Sequence, residues 1–203
     1  MEIRRFLEKL SSGTPTPGGG SASALAGALS AALVAMTAGL SLKQGRLRKE
    51  EVEDIRKRAL AIQKRLLRAV DEDAKSYEAV LKAFRLPKNT ERGRLHRSRI
   101  IQKAYQEATA TPQLVCQLSI QLLEYSKTLI FKGNPNAISD AGVAAFLADA
   151  ALAGGLLNIN INLVPGTEKT FLKKIHPLMG RWEKKGNQLR GEIEKALREI
   201  HGI

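Results

Sequence analysis

From Ser21 to Leu42 the chain carries no charged residue and is built mostly from Ala, Leu, Ser and Gly. Few structures accommodate such a run. Its helix-forming Ala and Leu predict one continuous helix. Its small side chains let neighbours approach from every side. The run is long enough to cross a bilayer. Alanine, serine and glycine gain little from lipid, however, so the expectation is an inner helix of a bundle and no membrane partner. The preceding stretch, Thr14-Pro15-Thr16-Pro17-Gly18-Gly19-Gly20-Ser21, is as restrictive. Its prolines bring the chain in extended and stiff, and its glycines then offer bare backbone that can turn tightly and touch a ligand. A helix start presents free N–H groups and the positive end of the dipole, which favours an anion. No Lys-Ser/Thr follows to make a P-loop and no G-x-G-x-x-G is present, so a plain helix cap and an anion-facing turn both remain open.

Helical periodicity dominates the rest. Val52, Ile55, Ala59, Ile62, Leu66, Ala69 or Val70, Asp73, Tyr77, Val80 and Phe84 recur every three or four residues, a long helix ended by Pro87. A second stripe runs through Ile101, Ala104, Ala108, Thr111, Val115, Leu118, Leu122, Tyr125 and Leu129, with Pro112 expected to kink that helix rather than end it. Gly133-Asn134-Pro135-Asn136 reads as a turn, with Ser139 or Asp140 as the next helix cap. Ala141–Leu157 is a second small-residue inner helix, Thr167–Ile200 a closing amphipathic helix, and Met1–Leu10 a short amphipathic one. Only Asn158–Asn162 alternates like a strand, and its neighbours favour helix. The expected architecture is all-α: one domain over residues 1–203, a bundle of about six helices, two of them long.

The chemistry is concentrated in few residues. Asp73 occupies a stripe position where every other member is apolar or Tyr, so its carboxylate is expected to point into the bundle. Burial raises a carboxyl pKa and fits such a group for proton transfer near neutrality; a buried Asp tied to a Lys or Arg is the structural alternative. Asp71 and Glu72 fall off the stripe and are expected in solvent. Asn158 and Asn162 share one helix face, where inward amides need partners, either backbone or a bound polar ring. Lys88 follows Pro87 at the start of a loop. His96, His176 and His201 lack metal-ligand spacing, so no metal is expected. The single cysteine, Cys116, is read as core packing, permits no internal disulfide, and fits a reducing cytoplasm. A net charge of +13 admits nucleic acid, an anionic membrane or an acidic small molecule, besides an ordinary solvated surface. Recognition-helix features are not evident, which makes nucleic acid the weaker partner.

Taken together, these stretches resemble the cyclodeaminase/cyclohydrolase family, which includes the C-terminal domain of formiminotransferase-cyclodeaminase and free-standing methenyltetrahydrofolate cyclohydrolases. The Thr14–Ser21 stretch is similar to the family's opening signature. Asp73-Ala74-Lys75-Ser76-Tyr77 with Arg85-Leu86-Pro87-Lys88-Asn89-Thr90 is similar to its second block. Gly133-Asn134, Ser139-Asp140, Asn158 and Ile161-Asn162-Leu163 are similar to its third. The resemblance implies an all-α homodimer with a folate site between helices, no metal and no redox cofactor. It assigns the acid–base role to Asp73. Substrate contacts are expected from Pro17, Gly18, Gly19, Gly20, Ser21, Lys88, Asn134, Asp140, Asn158 and Asn162. The implied reaction is cyclodeamination of a formimino folate, or hydrolysis of a methenyl folate at the same site, and the positive charge fits a polyglutamylated substrate. A basic nucleic-acid binder or an inactive scaffold bundle are the readings from other classes. One departure is the segment Glu91–Arg97, a loop more basic than the family leads one to expect.

Overall fold

The structure, a computed structural model, describes residues 2–201, and of His201 the backbone alone; Met1, Gly202 and Ile203 lie outside the described residues. The chain forms α1 (Ile3–Leu10), α2 (Gly19–Ser41), α3 (Lys49–Phe84), α4 (Glu91–Ala108), α5 (Ala110–Lys132), a single 3-10 turn (Pro135–Ala137), α6 (Ile138–Asn162) and α7 (Lys169–His201). The fold is all-α, as the periodicity predicts. Helices α3 and α7 are the two long ones, at 36 and 33 residues.

The charge-free helix α2 is central and packs against α3, α5 and α6. Ala24, Ala31, Val34 and Ala38 are fully buried along it. Both α2 and α6 have the length and apolarity of a membrane span, and in each about half of that stretch faces the bundle. Small residues let the two approach closely. Ser30 Oγ donates to the Ala144 carbonyl at 2.7 Å, and a methyl on Gly154 would overlap the Ser23 side chain. The stripe on α3 faces inward, with Val52, Ala59, Leu66 and Ala69 fully buried. Each buried Leu-sized side chain contributes about 1.5–3 kcal/mol. Cys116 is buried in this core, where desolvation pushes its thiol pKa up to about 12, so it stays a neutral packing group.

Three local expectations are corrected. Pro112 does not merely kink one long helix: the chain breaks at Thr109, ending α4 and starting α5. Pro112 has no N–H for the Ala108 carbonyl and its ring crowds that group; the Asn162 Nδ2 donates to it instead, at 3.3 Å. Neither Ser139 nor Asp140 caps α6. The N-cap position falls on Ala137, because the preceding 3-10 turn is capped by Asn134, whose Oδ1 accepts the Asn136 N–H at 2.9 Å. The basic segment Glu91–Arg97 is the start of α4 rather than a loop. Thr90 caps it by accepting the Gly93 N–H at 3.0 Å, and Arg97 turns back to donate to the Phe84 carbonyl at the end of α3, at 3.1 and 3.2 Å.

Candidate active site

Asp73 reaches the start of α2. The stripe that carries Leu66 and Val70 inward places Asp73 one turn later, where α3 passes the glycine-rich N-terminus of the central helix. Gly18 takes the N-cap position and has no side chain to satisfy the first N–H groups. The Asp73 carboxylate, from another helix, takes the Ser21 backbone N–H. Ser21 Oγ donates to Asp73 Oδ2 at 2.9 Å and stands 3.0 Å from the Val70 carbonyl. Gly20 is a glycine for a steric reason, since an added Cβ would stand 2.6 Å from Asp73 Cγ and 2.8 Å from Oδ2. The anion expected at this helix start is therefore the protein's own carboxylate.

Burial pushes the Asp73 carboxyl above the ordinary aspartate value, and hydrogen bonds from the Ser21 hydroxyl and backbone N–H draw it part of the way back. Among the described residues no cation lines the cavity in front of Asp73: its walls include no Lys, Arg or His. Its neighbours off the stripe behave differently. Asp71 is exposed, and Glu72 is half-buried and pairs with Arg65 at 2.8 Å.

The cavity has a volume of about 520 Å³, within the rough 300–1,000 Å³ range of small-molecule sites. Pro15, Thr16 and the three glycines form one side, and Asp73, Ser76, Tyr77 and Val80 of α3 another. Tyr105 and Ala108 close the end of α4, and Asn158, Ile161, Asn162 and Val164 come from the end of α6 and the turn after it. Asn158 Nδ2 donates to the Gly154 carbonyl at 2.7 Å, which leaves its Oδ1 as the acceptor on offer. A wall of rings leads outward, with Tyr105 edge-on to Phe84 at 6.2 Å and Arg97 over Phe84 at 5.4 Å.

Of the residues singled out in the sequence, Gly18, Gly19, Gly20, Asp73, Asn158 and Asn162 meet in this cavity. Pro17 stands half-buried in the turn before α2, and Ser21 is fully buried behind the carboxylate. Lys88 is exposed between α3 and α4. Asp140, in the first turn of α6, is not among the cavity residues, and Asn134 lies at the far end of α2. Twenty-three residues of helix at about 1.5 Å each put roughly 33 Å between that end and Gly19. There Asn134 donates its side-chain amide to the Leu40 carbonyl at 3.1 Å and its backbone N–H to Ser41 Oγ at 2.9 Å. Tyr77 and Tyr105 are cavity residues that the candidate list lacks. Tyr77 was detectable, being one helical turn from Asp73; Tyr105 enters only through the packing of α4 on α3.

A larger apolar groove, about 930 Å³, lies between α6 and α7 along Val143, Phe146 and Leu197. Its one carboxylate, Glu194, is paired with Arg190 and Arg198 at 4.0 and 3.8 Å. It brings no unpaired acid or amide to a point, so the smaller Asp73 cavity is the better candidate for chemistry.

Comparison with known proteins bears on the family and the fold. Residues 2–179 match the family described as formiminotransferase-cyclodeaminase. A methenyltetrahydrofolate cyclohydrolase of Methylorubrum extorquens is 36% identical over 176 residues, covering 85% of this chain and 84% of that protein. The mouse formimidoyltransferase-cyclodeaminase is 32% identical over 178 residues, covering 86% of this chain but only 32% of the relative's length. The crystal structure of a formiminotetrahydrofolate cyclodeaminase from Thermotoga maritima superposes with a TM-score of 0.87 at 26% identity, covering 98% of this chain and 97% of that one. With its sequence matched over most of its length and its fold shared end to end, this chain belongs to the formiminotransferase-cyclodeaminase family.

Proposed function

We propose that the chain is a one-carbon folate enzyme, a formiminotetrahydrofolate cyclodeaminase, with methenyltetrahydrofolate cyclohydrolase activity as the alternative at the same site. The observation that carries the proposal is Asp73: a desolvated carboxyl, held by Ser21 and facing a cavity with two amides and no cation. In cyclodeamination the second folate nitrogen attacks the formimino carbon and loses its proton, the five-membered ring closes, and the departing nitrogen gains a proton and leaves as ammonia. One carboxyl with an upward-shifted pKa can accept the first proton and deliver the second. In hydrolysis water adds to the methenyl carbon and the same carboxyl takes one of its protons. The carboxyl then hands that proton to the nitrogen as its bond to the carbon breaks, and the added hydroxyl releases its proton to solvent to become the formyl carbonyl. Both routes move only protons and heavy atoms, so the proposal includes no metal and no redox cofactor. Asn158 and Asn162 are assigned to the polar edge of the pterin, and Gly18 and Gly19 to its approach along bare backbone.

A polyglutamate tail belongs to the proposed substrate. Arg97 supports it, as a cation linked to the cavity wall through Phe84 and Tyr105. The proposed setting is the cytoplasm and the proposed assembly a homodimer. Exposed Leu29, Met36 and Leu40 on α2 and Val143, Phe146 and Leu157 on α6, between 42% and 70% exposed, support a second copy on that face. A Phe146→Glu protein that keeps the wild-type mass in sedimentation would remove this face from the assembly.

The deciding experiment follows the near-ultraviolet methenyl chromophore with formiminotetrahydrofolate and with methenyltetrahydrofolate as separate substrates, each with short and long glutamate tails. Formation from the first beyond the uncatalysed rate establishes the cyclodeaminase. Faster loss of the second alone establishes the cyclohydrolase. No acceleration of either refutes the folate proposal, and equal rates for both tail lengths at low salt refute the tail.

A further inference from the structure

We infer that Ser21 is a positioning residue for Asp73, a buried hydroxyl that follows the carboxyl between its two protonation states, and not a substrate ligand. The catalytic consequence rests on the function proposed above; the geometry does not. Ser21 is 0% exposed, so no molecule in the cavity touches it. Its hydroxyl has one proton and two acceptors, Asp73 Oδ2 at 2.9 Å and the Val70 carbonyl at 3.0 Å. Both acceptors belong to a single turn of α3, three residues apart. Switching between them takes rotation about one C–O bond and no movement of either helix.

The two states are each satisfied. When Asp73 is ionised, the hydroxyl donates to the carboxylate, a charge-assisted bond stronger than one to a neutral carbonyl. When Asp73 holds a proton, the hydroxyl turns to Val70 and leaves no donor stranded. Gly20 keeps the carboxyl in place through both states, because the space against the backbone of α2 is open only while residue 20 lacks a Cβ. The remaining titratable groups facing Asp73 across the cavity are Tyr77 from α3 and Tyr105 from α4, and the lining residues of α2 and α6 contribute none. Ser21 is thus the polar side chain tied to the charge on Asp73.

The test is a carboxyl titration of full-length protein labelled with ¹³C-aspartate, followed by NMR. The Asp73 resonance is assigned by its loss in Asp73→Asn, and wild type is compared with Ser21→Ala. Pre-steady-state or steady-state turnover is recorded over the same pH range with both folate substrates. Removal of the hydroxyl is expected to raise the Asp73 midpoint and to move the acid limb of the pH–rate profile upward by the same amount. An unchanged midpoint in folded Ser21→Ala overturns the inference, and so does an activity loss equal at all pH values with the profile unmoved. If wild type turns over neither folate, the proposed function fails while the titration still decides the role of Ser21.

Discussion

The two ends of α2 solve the same problem with groups of opposite hydrogen-bonding sense, a charged acceptor at one and a neutral donor at the other. At its N-terminus the positive dipole and the Ser21 N–H are met by the Asp73 carboxylate from α3. At its C-terminus the free Leu40 carbonyl is met by a donor, the Asn134 side-chain amide, and the Asn134 backbone N–H donates to Ser41 Oγ. Asp73 sits on the stripe of α3 and Asn134 follows Gly133 in a turn-like stretch, and both resemble ligand-binding motifs when read as letters. The first opens on a cavity, and the second is taken up by bonds to the end of α2. A helix end explains why a polar residue is present; the space in front of it separates a reactive group from a cap. An ionisable cap kept desolvated beside a cavity can trade protons, whereas a neutral amide bonded to backbone holds two segments together.

Substitutions at the two ends test that contrast. Asp73→Asn keeps the shape of the cap and is expected to lower turnover by about two to four powers of ten, as for loss of a general acid–base group. Near-normal turnover in the folded variant would place the chemistry elsewhere. Gly20→Ala comes next. Its methyl overlaps the carboxyl, so activity should fall with Asp73 displaced, and stability should drop by about 1–3 kcal/mol, the usual cost of overpacking. In an Asp73→Ala background the same change should cost far less, and additive losses in a double-mutant cycle would show that the clash is not the cause. Asn134→Ala at the other end is expected to lower stability by about 1 kcal/mol with kcat kept within about twofold. A selective loss of kcat there would return Asn134 to the site and require a second copy to bring it.

The smallest effect is in stability against pH. Burial raises the folded-state pKa of Asp73 above its unfolded value. The associated stabilisation is therefore fully present below the unfolded aspartate value of about 3.9 and is lost as pH rises through the raised folded value. The melting temperature of Asp73→Asn should thus gain on that of wild type between acid and neutral pH. A gap that stays constant, or that moves in wild type's favour, would show the carboxyl is not destabilised by its surroundings.

Periodicity alone located most of the bundle. The stripe from Val52 to Val80 is a local property of spacing, and it turned Asp73 inward without any neighbour being known. The charge-free runs gave α2 and α6 for the same reason, because a helix without charge has to be covered. Local chemistry was less decisive where two signals competed. Pro112 could kink or break a helix, and the break at Thr109 depends on Asn162 reaching across to the stranded Ala108 carbonyl. Ser139 and Asp140 are both acceptable caps, yet the 3-10 turn set by Asn134 moves the helix start ahead of them.

What the sequence by itself determined is the helix set, the inward acid at position 73, the glycine-rich start of the central helix and, through matching motifs, the family. The tertiary structure decided which of those features share a volume. It joined Asp73 to Ser21 across 52 residues of sequence, added Tyr105 to the wall, sent Asn134 to the opposite end of α2 and left Asp140 outside the cavity. The physical reason is range. Periodicity, capping and propensity act over one or two helical turns, whereas a cavity and the pKa of the group inside it depend on which helices pack together and how closely their small residues let them approach.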